Sequence, residues 1–441
     1  MGLWAGWPSW ALVKRDAGSD TPGEWISRSD HSWAVASFDL ANMLSAAPVG
    51  CMADHLGRKG SLLTLGGLLV FSFGVLYVPL GPYAVFTGRF LAGVCRSVVY
   101  VTLPGYIAEI TSKHVRGRLT VTLSAFDALG MLVSMSVGPR ISYATANAAS
   151  VVLSAIYLLA IVRVPETPYY LLSKNRPEKA RKALAWYRGR QDVHHELDRM
   201  TASVLEDMKE PATYHELFDD SGNRTALFLV VAACFAQRAG GISCIVAYST
   251  TTLPENSLVR PENVAAVVAA VRLMFTLIAA PMIDKFGRRP LLINSHAALA
   301  VITLVYGSYL FADADGRDTG YNWIPSVCVV LFSVAYSMGS GVVVGTLIGE
   351  MFPANVKSKA VAVVAIVSSL GSFFTNKMYL PVADLFGVYY MYFLFTVINA
   401  VWATCAYIFL FETKNMTLSD IQDRLDEFNS DSSESTDRPK R

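Results

Sequence analysis

The sequence predicts an all-α, polytopic membrane protein made of two six-helix lobes, with the first helix incomplete. Three observations predict it. Of the 441 residues, 53% are hydrophobic and only 16% charged, where a soluble domain carries about a quarter charged residues. Apolar runs of about 20 residues, the length a helix needs to cross a bilayer, recur along the whole chain. One pattern of acidic and basic residues also appears twice, in the same order, on either side of a long polar segment. The formal net charge of +2 is too small to suggest nucleic acid as a partner.

In chain order, Met1 to Val13 is an apolar stub too short to cross the hydrocarbon core. It reads as the second half of a span, from a sequence that begins inside a longer protein, or as a re-entrant helix. Full spans follow at residues 32–52, 61–80, 84–108, 119–138 and 143–163. Residues 1–166 thus form an N-terminal lobe. A linker, 167–225, contains KNRPEKARKALAWYRGR, a strongly basic stretch with helical periodicity. Its Lys and Arg assign it to the cytoplasm by the positive-inside rule, as do the basic loops DHLGRKG (54–60) and DKFGRRP (284–290). Spans at 226–250, 262–283, 290–310, 324–349, 358–381 and 388–411 build a C-terminal lobe, 226–412. The remainder, 413–441, ends in DEFNSDSSESTDRPKR and is expected to be a disordered cytoplasmic tail. All six cysteines lie inside apolar runs with no paired C-x-x-C spacing, which reads as packing and not as disulfides or metal ligands. No cleavable signal peptide is expected.

The repeat is specific. Asp54-His-Leu-Gly-Arg58-Lys59 recurs as Asp284-Lys-Phe-Gly-Arg288-Arg289. Glu109 with Arg116 recurs as Glu350 with Lys357, and Glu166-Thr167 as Glu412-Thr413. A charge pattern present in both halves implies duplicated bundles, with a site between the lobes near the bilayer midplane. Charges at the cytoplasmic helix ends that pair when that face shuts and part when it opens make a gating latch. Solvated loop charges worth about 0–1 kcal/mol each are the bland alternative. Gly57 and Gly287 are expected to supply tight turns.

These residues carry a family resemblance. The loop D-x-x-G-R-[KR] in both halves resembles the signature of the major facilitator superfamily. GRFLAG (88–93), YIAEI with Arg116-Gly117, PETPYYL (165–171), GEMFP (349–353) and ETKNMTL (412–418) resemble motifs of its sugar-porter branch. GLWAGWPSWAL (2–12) is similar to helix 1 of the arthropod facilitated trehalose and glucose transporters. The resemblance implies the major facilitator fold and transport by alternating access. It assigns gating ion pairs to Asp54, Arg58, Arg89, Glu109, Arg116, Glu166, Asp284, Arg288, Glu350, Lys357 and Glu412. It also implies substrate contacts on helices 5, 7, 8, 10 and 11, at Met135, Gln237, Arg238, Ser243, Tyr248, Arg272 and Ser368.

At those positions the chain departs from its family. The helix 7 pattern QQ-x-x-G-I-N-x-x-x-Y-Y is here QRAGGISCIVAYS: Gln237, Gly241, Ile242 and Tyr248 match, whereas Arg238, Ser243 and Ala247 do not. The helix 8 polar position is Arg272, the helix 5 glutamine position is Met135, and the helix 11 Asn-Trp position is Ser368-Ser369. Helix 10 has GVVVG (341–345) in place of G-P-x-P-W. Charge has entered instead: Arg96, Asp127, Arg238 and Arg272 sit near the middle of spans, with Asp39 higher in helix 2. An intramembrane charge faces a cavity or a partner. Internal pairing of Asp127 with Arg96 is one expectation; Arg238 and Arg272 facing the cavity, and favouring a carboxylate or phosphate, is the other. Proton-coupled sugar porters pair a helix 1 carboxylate with the arginine matching Arg89. That helix 1 position is Trp4 here, which favours facilitated diffusion.

The expected function is therefore a sugar-porter-like facilitator for a small organic solute, sugar or organic anion, in the plasma membrane. An organic-anion carrier and a proton-coupled symporter are the alternatives. A non-transporting sensor and a channel-like membrane protein rank lower. No nucleophile–base set, metal spacing or phosphate loop suggests an enzyme, a cofactor or a metal. Partners beyond the solute and the bilayer are not expected.

Overall fold

The computed structural model describes residues 1–16, 28–78, 81–111, 113–209, 214–253, 260–314, 320–352, 354–414, 416 and 420–425. Among these the secondary structure is helical, with no strand. In the N-terminal half, α1 (Gly2–Asp16) is followed by α2 (Arg28–Gly74), α3 (Pro82–Ile110), α4 (Lys113–Val137) and α5 (Tyr143–Arg163). The linker folds as α6 (Pro168–Ser173), α7 (Pro177–Arg188), α8 (His194–Lys209) and α9 (Tyr214–Asp219). The second half comprises α10 (Ser221–Ala239), α11 (Ile242–Thr252), α12 (Pro261–Phe286), α13 (Arg288–Ala314), α14 (Ile324–Met338), α15 (Ser340–Met351), α16 (Ala354–Leu385) and α17 (Val388–Phe409). Nine helical segments among the described residues are long and apolar enough to cross a membrane.

Three boundaries differ from the sequence reading, each for a local backbone reason. The spans at 32–52 and 61–80 join as α2, which turns through non-helical Gly57 (φ 83°, ψ 175°). The span at 226–250 breaks into α10 and α11 at Gly240–Gly241, where Gly241 adopts φ 112°. The span at 324–349 breaks into α14 and α15 at Gly339. Broken helices at membrane depth require their freed backbone groups to be met by protein or by a water-lined cavity. Ser295 does part of this at the second break, its hydroxyl accepting from the Ser340 N–H at 3.1 Å.

One core cluster runs through both halves, joining Trp4, Trp7, Trp10, Phe73, Met131 and Met135 of the first to Tyr248, Val268, Phe332, Tyr379 and Phe395 of the second, and another lies within the second half, where α10, α13, α15, α16 and α17 pack around Val230, Leu292, Leu347, Val364 and Trp402. In α1, three tryptophans spaced three apart each donate an indole N–H to a different neighbour: Trp4 to Ser72 at 3.2 Å, Trp7 to Asn147 at 3.1 Å, Trp10 to Ser134 at 3.1 Å. Buried indoles find such partners because an unmet N–H in an apolar core is costly. The segment 413–441 is not disordered throughout. Residues 420–425 are helical, and Ile421 and Leu425 are buried in the second core, with Gln422 Nε2 donating to the Met351 carbonyl at 3.2 Å. Ile421 and Leu425, four apart, form the apolar stripe that the surrounding charges hide. Residues 426–441 lie outside the described set.

Candidate functional site

Both repeated charge sets fold into the same latch, each inside its own lobe. In the first, Arg58 Nε meets Glu109 Oε1 at 3.0 Å, and its Nη1 donates to the Ala53 carbonyl at 2.9 Å and to Asp54 Oδ1 at 3.2 Å. Thr167 Oγ1 donates to Glu109 Oε2 at 2.5 Å. The Glu166 carboxylate accepts from the Lys59 backbone N–H at 3.0 and 3.1 Å and from the Thr167 N–H at 2.8 Å. In the second, Arg288 Nη2 meets Glu350 Oε1 at 2.7 Å and Nη1 the Ile283 carbonyl at 3.2 Å, while Thr413 Oγ1 donates to Glu350 Oε2 at 2.7 Å. Glu412 accepts from the backbone N–H groups of Arg288 and Arg289 at 2.9 and 3.0 Å and of Lys414 at 3.0 Å.

The glycine is what lets the carboxylate in. Gly57 (φ 83°) and Gly287 (φ 88°) adopt a conformation open essentially to glycine alone. A Cβ on either would run into the carboxylate of Glu166 or Glu412. Glu109 and Glu350 pair with Arg58 and Arg288, across helices and not only with their neighbours in sequence. Lys357 Nζ donates to the Gly349 carbonyl at 2.5 Å; the side chains of Arg116 and Asp284 lie outside the described residues.

Arg89, expected in a gating pair, is 3% exposed and clamped on backbone carbonyls. Its three nitrogens donate to Ala34 at 3.1 Å, Trp4 at 2.9 Å and Val35 at 3.3 Å, and its carbon lies 4.6 Å from the Phe38 ring centroid and 5.9 Å from that of Trp4. Gly93 sits so close to the Phe38 carbonyl that no side chain fits there. The GRFLAG motif thus locks α2 against α3 and α1.

Between the lobes, charged and aromatic groups converge at mid-helix. Arg238 of α10 lies in the field of Tyr100 of α3, of Tyr336 and of Asp39. Arg272 of α12 reaches Met131 Sδ of α4 at 3.8 Å and stands 5.9 Å from the Tyr336 ring. Arg96 lies over the Phe38 ring at 5.1 Å and the Tyr100 ring at 5.3 Å. Among the described residues no ion pair joins Asp127 to Arg96: the arginine turns to two rings, and both groups act on Tyr100 at longer range. Asp39, 5% exposed, accepts from Asn376 Nδ2 of α16 at 2.8 Å, with Arg96, Arg238 and Arg89 around it. Intramembrane charges cost about 2.5–3.5 kcal/mol each even on the lenient insertion scale, so such a gathering needs an aqueous cleft or a ligand.

The expected solute contacts separate into two groups. Arg238 and Arg272 face the other half, toward Tyr100 and Met131. Gln237, Ser243 and Tyr248 are engaged inside the C-terminal lobe: the Gln237 amide on the Ser340 carbonyl, Ser243 Oγ on Ser372 Oγ at 2.9 Å, Tyr248 Oη on the Asn376 carbonyl at 3.1 Å. Met135, 1% exposed, packs in the tryptophan core and offers no surface to a solute. Ser368 is half-buried beside Ser369, whose Oγ accepts from Asn42 Nδ2 at 2.5 Å. Sequence reading missed Tyr100, Tyr336 and Asn376. An aromatic residue one turn from Arg96 was the available signal for the first; an apolar stripe conceals the other two.

Further cross-lobe bonds join Thr250 to Ser9 and Lys377 to Ser32 (2.8 Å). With the Asp39 and Asn42 bonds, they lie in the half of the bundle away from the basic loops.

The helical architecture, with nine described segments long and apolar enough to cross a membrane and the same charge cluster in both halves, is that of an integral, multi-pass membrane protein of the major facilitator fold. The family described as "Sugar (and other) transporter" matches residues 11–425, and the chain belongs to that family. It is similar to the facilitated trehalose transporter Tret1 of Drosophila willistoni, 28% identical over 431 residues, covering 96% of this chain and 49% of that protein. The Drosophila mojavensis protein of the same name is 28% identical, covering 89% and 46%. The chain spans about half the length of the curated relatives it matches. Among solved structures, the xylose transporter XylE from E. coli in a partially occluded inward-open conformation superposes with TM-score 0.76 at 20% identity, covering 95% and 97% of the two chains. The proton:xylose symporter XylE bound to 6-bromo-6-deoxy-D-glucose gives 0.74 at 20% identity, covering 96% of each. These neighbours speak to the fold alone.

Proposed function

We propose that this chain is a facilitator that carries a small organic solute, sugar or organic anion, across the plasma membrane by alternating access of its two lobes. The observation that carries the reading is a division of labour: each lobe is braced internally at its basic end by its own charge cluster, while the lobes pack on each other through α1 on α11, α2 on α16 and α4 on α12. Two internally braced bodies that meet along packed helix pairs can rock about the seam between them. Membership of the sugar transporter family and similarity to proteins named as facilitated trehalose transporters support it. The basic loops and linker favour a cytoplasmic position for the latched ends and the C-terminal segment. Uniport is favoured because Arg89 faces the carbonyl and ring of Trp4, so no carboxylate in α1 carries a proton beside it.

Cross-linking tests the motion. Asn42 and Ser369 hydrogen-bond across the lobes. An Asn42→Cys, Ser369→Cys pair, oxidised in proteoliposomes, is expected to abolish solute flux reversibly, with reduction restoring it and each single variant unaffected by oxidant. Undiminished flux through the cross-linked protein would exclude rocking at this seam.

A further inference from the structure

We infer that the cleft is a binding site for a small organic anion, a carboxylate or phosphate, held by Arg96, Arg238 and Arg272 from both lobes. The inference rests on the carrier reading for its transport consequence, but the site itself rests on charge and partners.

Three guanidiniums stand at the cleft, with Arg89 as a fourth cation behind them on backbone carbonyls. Against them stand two carboxylates, Asp39 and Asp127. Asp39 is withdrawn, 5% exposed and held by Asn376, so it moderates the field of the arginines without occupying their donors. Asp127 makes no ion pair among the described residues. The balance at the cleft is positive.

What touches each arginine matters as much. Arg96 meets two aromatic rings. Arg272 meets a thioether and a ring. Arg238 lies in the field of the Tyr100 and Tyr336 phenols. Rings and sulfur support the flat face of a guanidinium, yet they accept few of its five N–H donors. Among the described residues neither Arg96 nor Arg272 has a carboxylate or carbonyl acceptor. Half-buried donors in that state are ready for a bidentate anion, the geometry guanidinium favours. A neutral sugar is offered less, because Gln237, Ser243 and Tyr248 already have partners inside the C-terminal lobe.

Placement on both lobes gives the site a mechanical consequence. Arg96 belongs to α3, Arg238 to α10 and Arg272 to α12. In an empty cleft like charges oppose approach of the lobes at this level. An anion between them reverses the sign, so occupancy and closure are coupled.

The test uses the full chain in detergent and in proteoliposomes, with three probes similar in size and hydroxyl content: glucose, gluconate and glucose 6-phosphate. Thermal stabilisation reads binding and tracer uptake reads transport. The expected result is stabilisation by gluconate or glucose 6-phosphate but not glucose, weakening as ionic strength rises, with uptake following the same order. Arg272→Gln and Arg96→Gln are each expected to weaken anion binding at least tenfold, and Arg272→Lys less than Arg272→Gln. Size-exclusion profiles and melting temperatures without ligand show whether each variant folds; Arg272→Lys serves if the glutamine variants do not. Stabilisation by an anion without flux of any probe would uphold the site and overturn the carrier reading. Glucose uptake without anion binding or competition, anion binding untouched in the folded variants, or no stabilisation by either anion would each overturn the site.

Discussion

The two ends of each lobe and the cleft between lobes answer to different rules. At the basic ends, the halves are near copies: Arg58 and Arg288, Glu109 and Glu350, Thr167 and Thr413, Glu166 and Glu412 take matching partners around a glycine in the same unusual backbone region. Even the following basic residue repeats, Lys59 on the Val162 carbonyl at 2.9 Å and Arg289 on the Tyr407 carbonyl at 2.6 Å. In the cleft nothing repeats. One lobe supplies Arg96, Tyr100, Asp39 and Asp127, the other Arg238, Arg272 and Tyr336. On the proposed carrier reading, two lobes that rock against each other need the same brace, whereas the groups between them face a solute that has no twofold symmetry to match.

The comparison is broken most severely at the glycines. Gly57→Ala and Gly287→Ala each place a Cβ against a carboxylate and force a backbone region that costs about 1–3 kcal/mol for other residues. Both variants are expected to lower the melting temperature, and to cut transport at least tenfold, to a similar degree. A large loss in one and none in the other, by thermal unfolding and uptake, would show that the two latches are copies in geometry only.

Next in size are the arginines. Arg58→Ala and Arg288→Ala leave Glu109 and Glu350, part-buried, without their main cation. An acceptor stranded in that way costs about 1–3 kcal/mol. Arg→Lys is expected to recover little, because one ammonium cannot serve the carboxylate and the Ala53 or Ile283 carbonyl together. Uptake is expected to fall several-fold with surface expression near normal. Unchanged uptake in both variants would return these residues to the status of solvated loop charges.

The fold and the repeated charge clusters were legible in the sequence because each is written in local signals. Spans announce themselves by length and apolarity, and D-x-x-G-R places its glycine and arginine with fixed spacing. Breaks at Gly241 and Gly339 were not, since a glycine inside an apolar run also fits an unbroken helix. Ion pairing was legible only in part. Glu109 was matched to Arg116 by chain proximity, whereas the structure matches it to Arg58 across two helices, and Asp127 was matched to Arg96, which instead lies over Phe38 and Tyr100. Partner choice between distant helices depends on rotation and depth, which periodicity fixes only within a turn. The arginines themselves were visible because a charge amid apolar residues stands out; Tyr100 and Tyr336 were not, because aromatic residues are ordinary there.

The smallest effect belongs to the linker, which departs from the twofold pattern by docking on one lobe. Arg188 Nη1 donates to the Ile110 carbonyl at 2.7 Å, Tyr187 Oη to the Pro165 carbonyl at 2.8 Å, and the Tyr106 and Tyr187 hydroxyls meet at 3.1 Å. Glu196 orients Arg188, at 2.6 Å, and also reaches Arg190, at 3.2 Å. The Arg188 hydrogen bond holds the Glu196 carboxyl below the ordinary glutamate range, against the opposing pull of burial. A carboxyl so depressed contributes stability that is complete above the unfolded value, about 4.3, and is lost as pH falls through the lower folded value. Glu196 is largely solvated, so the contribution is small, within the about 0–1 kcal/mol of exposed pairs. Glu196→Gln is therefore expected to leave uptake at pH 7 nearly unchanged, while raising hydrogen exchange over 177–209 slightly. Once the pH has fallen below the depressed folded value, the variant and the parent should converge, since protonation removes the same charge. Arg188→Ala should loosen the segment more, because it removes the Ile110 bond as well. Equal exchange in all three proteins would mean that α7 is held on the N-terminal lobe by Tyr187 and apolar packing alone.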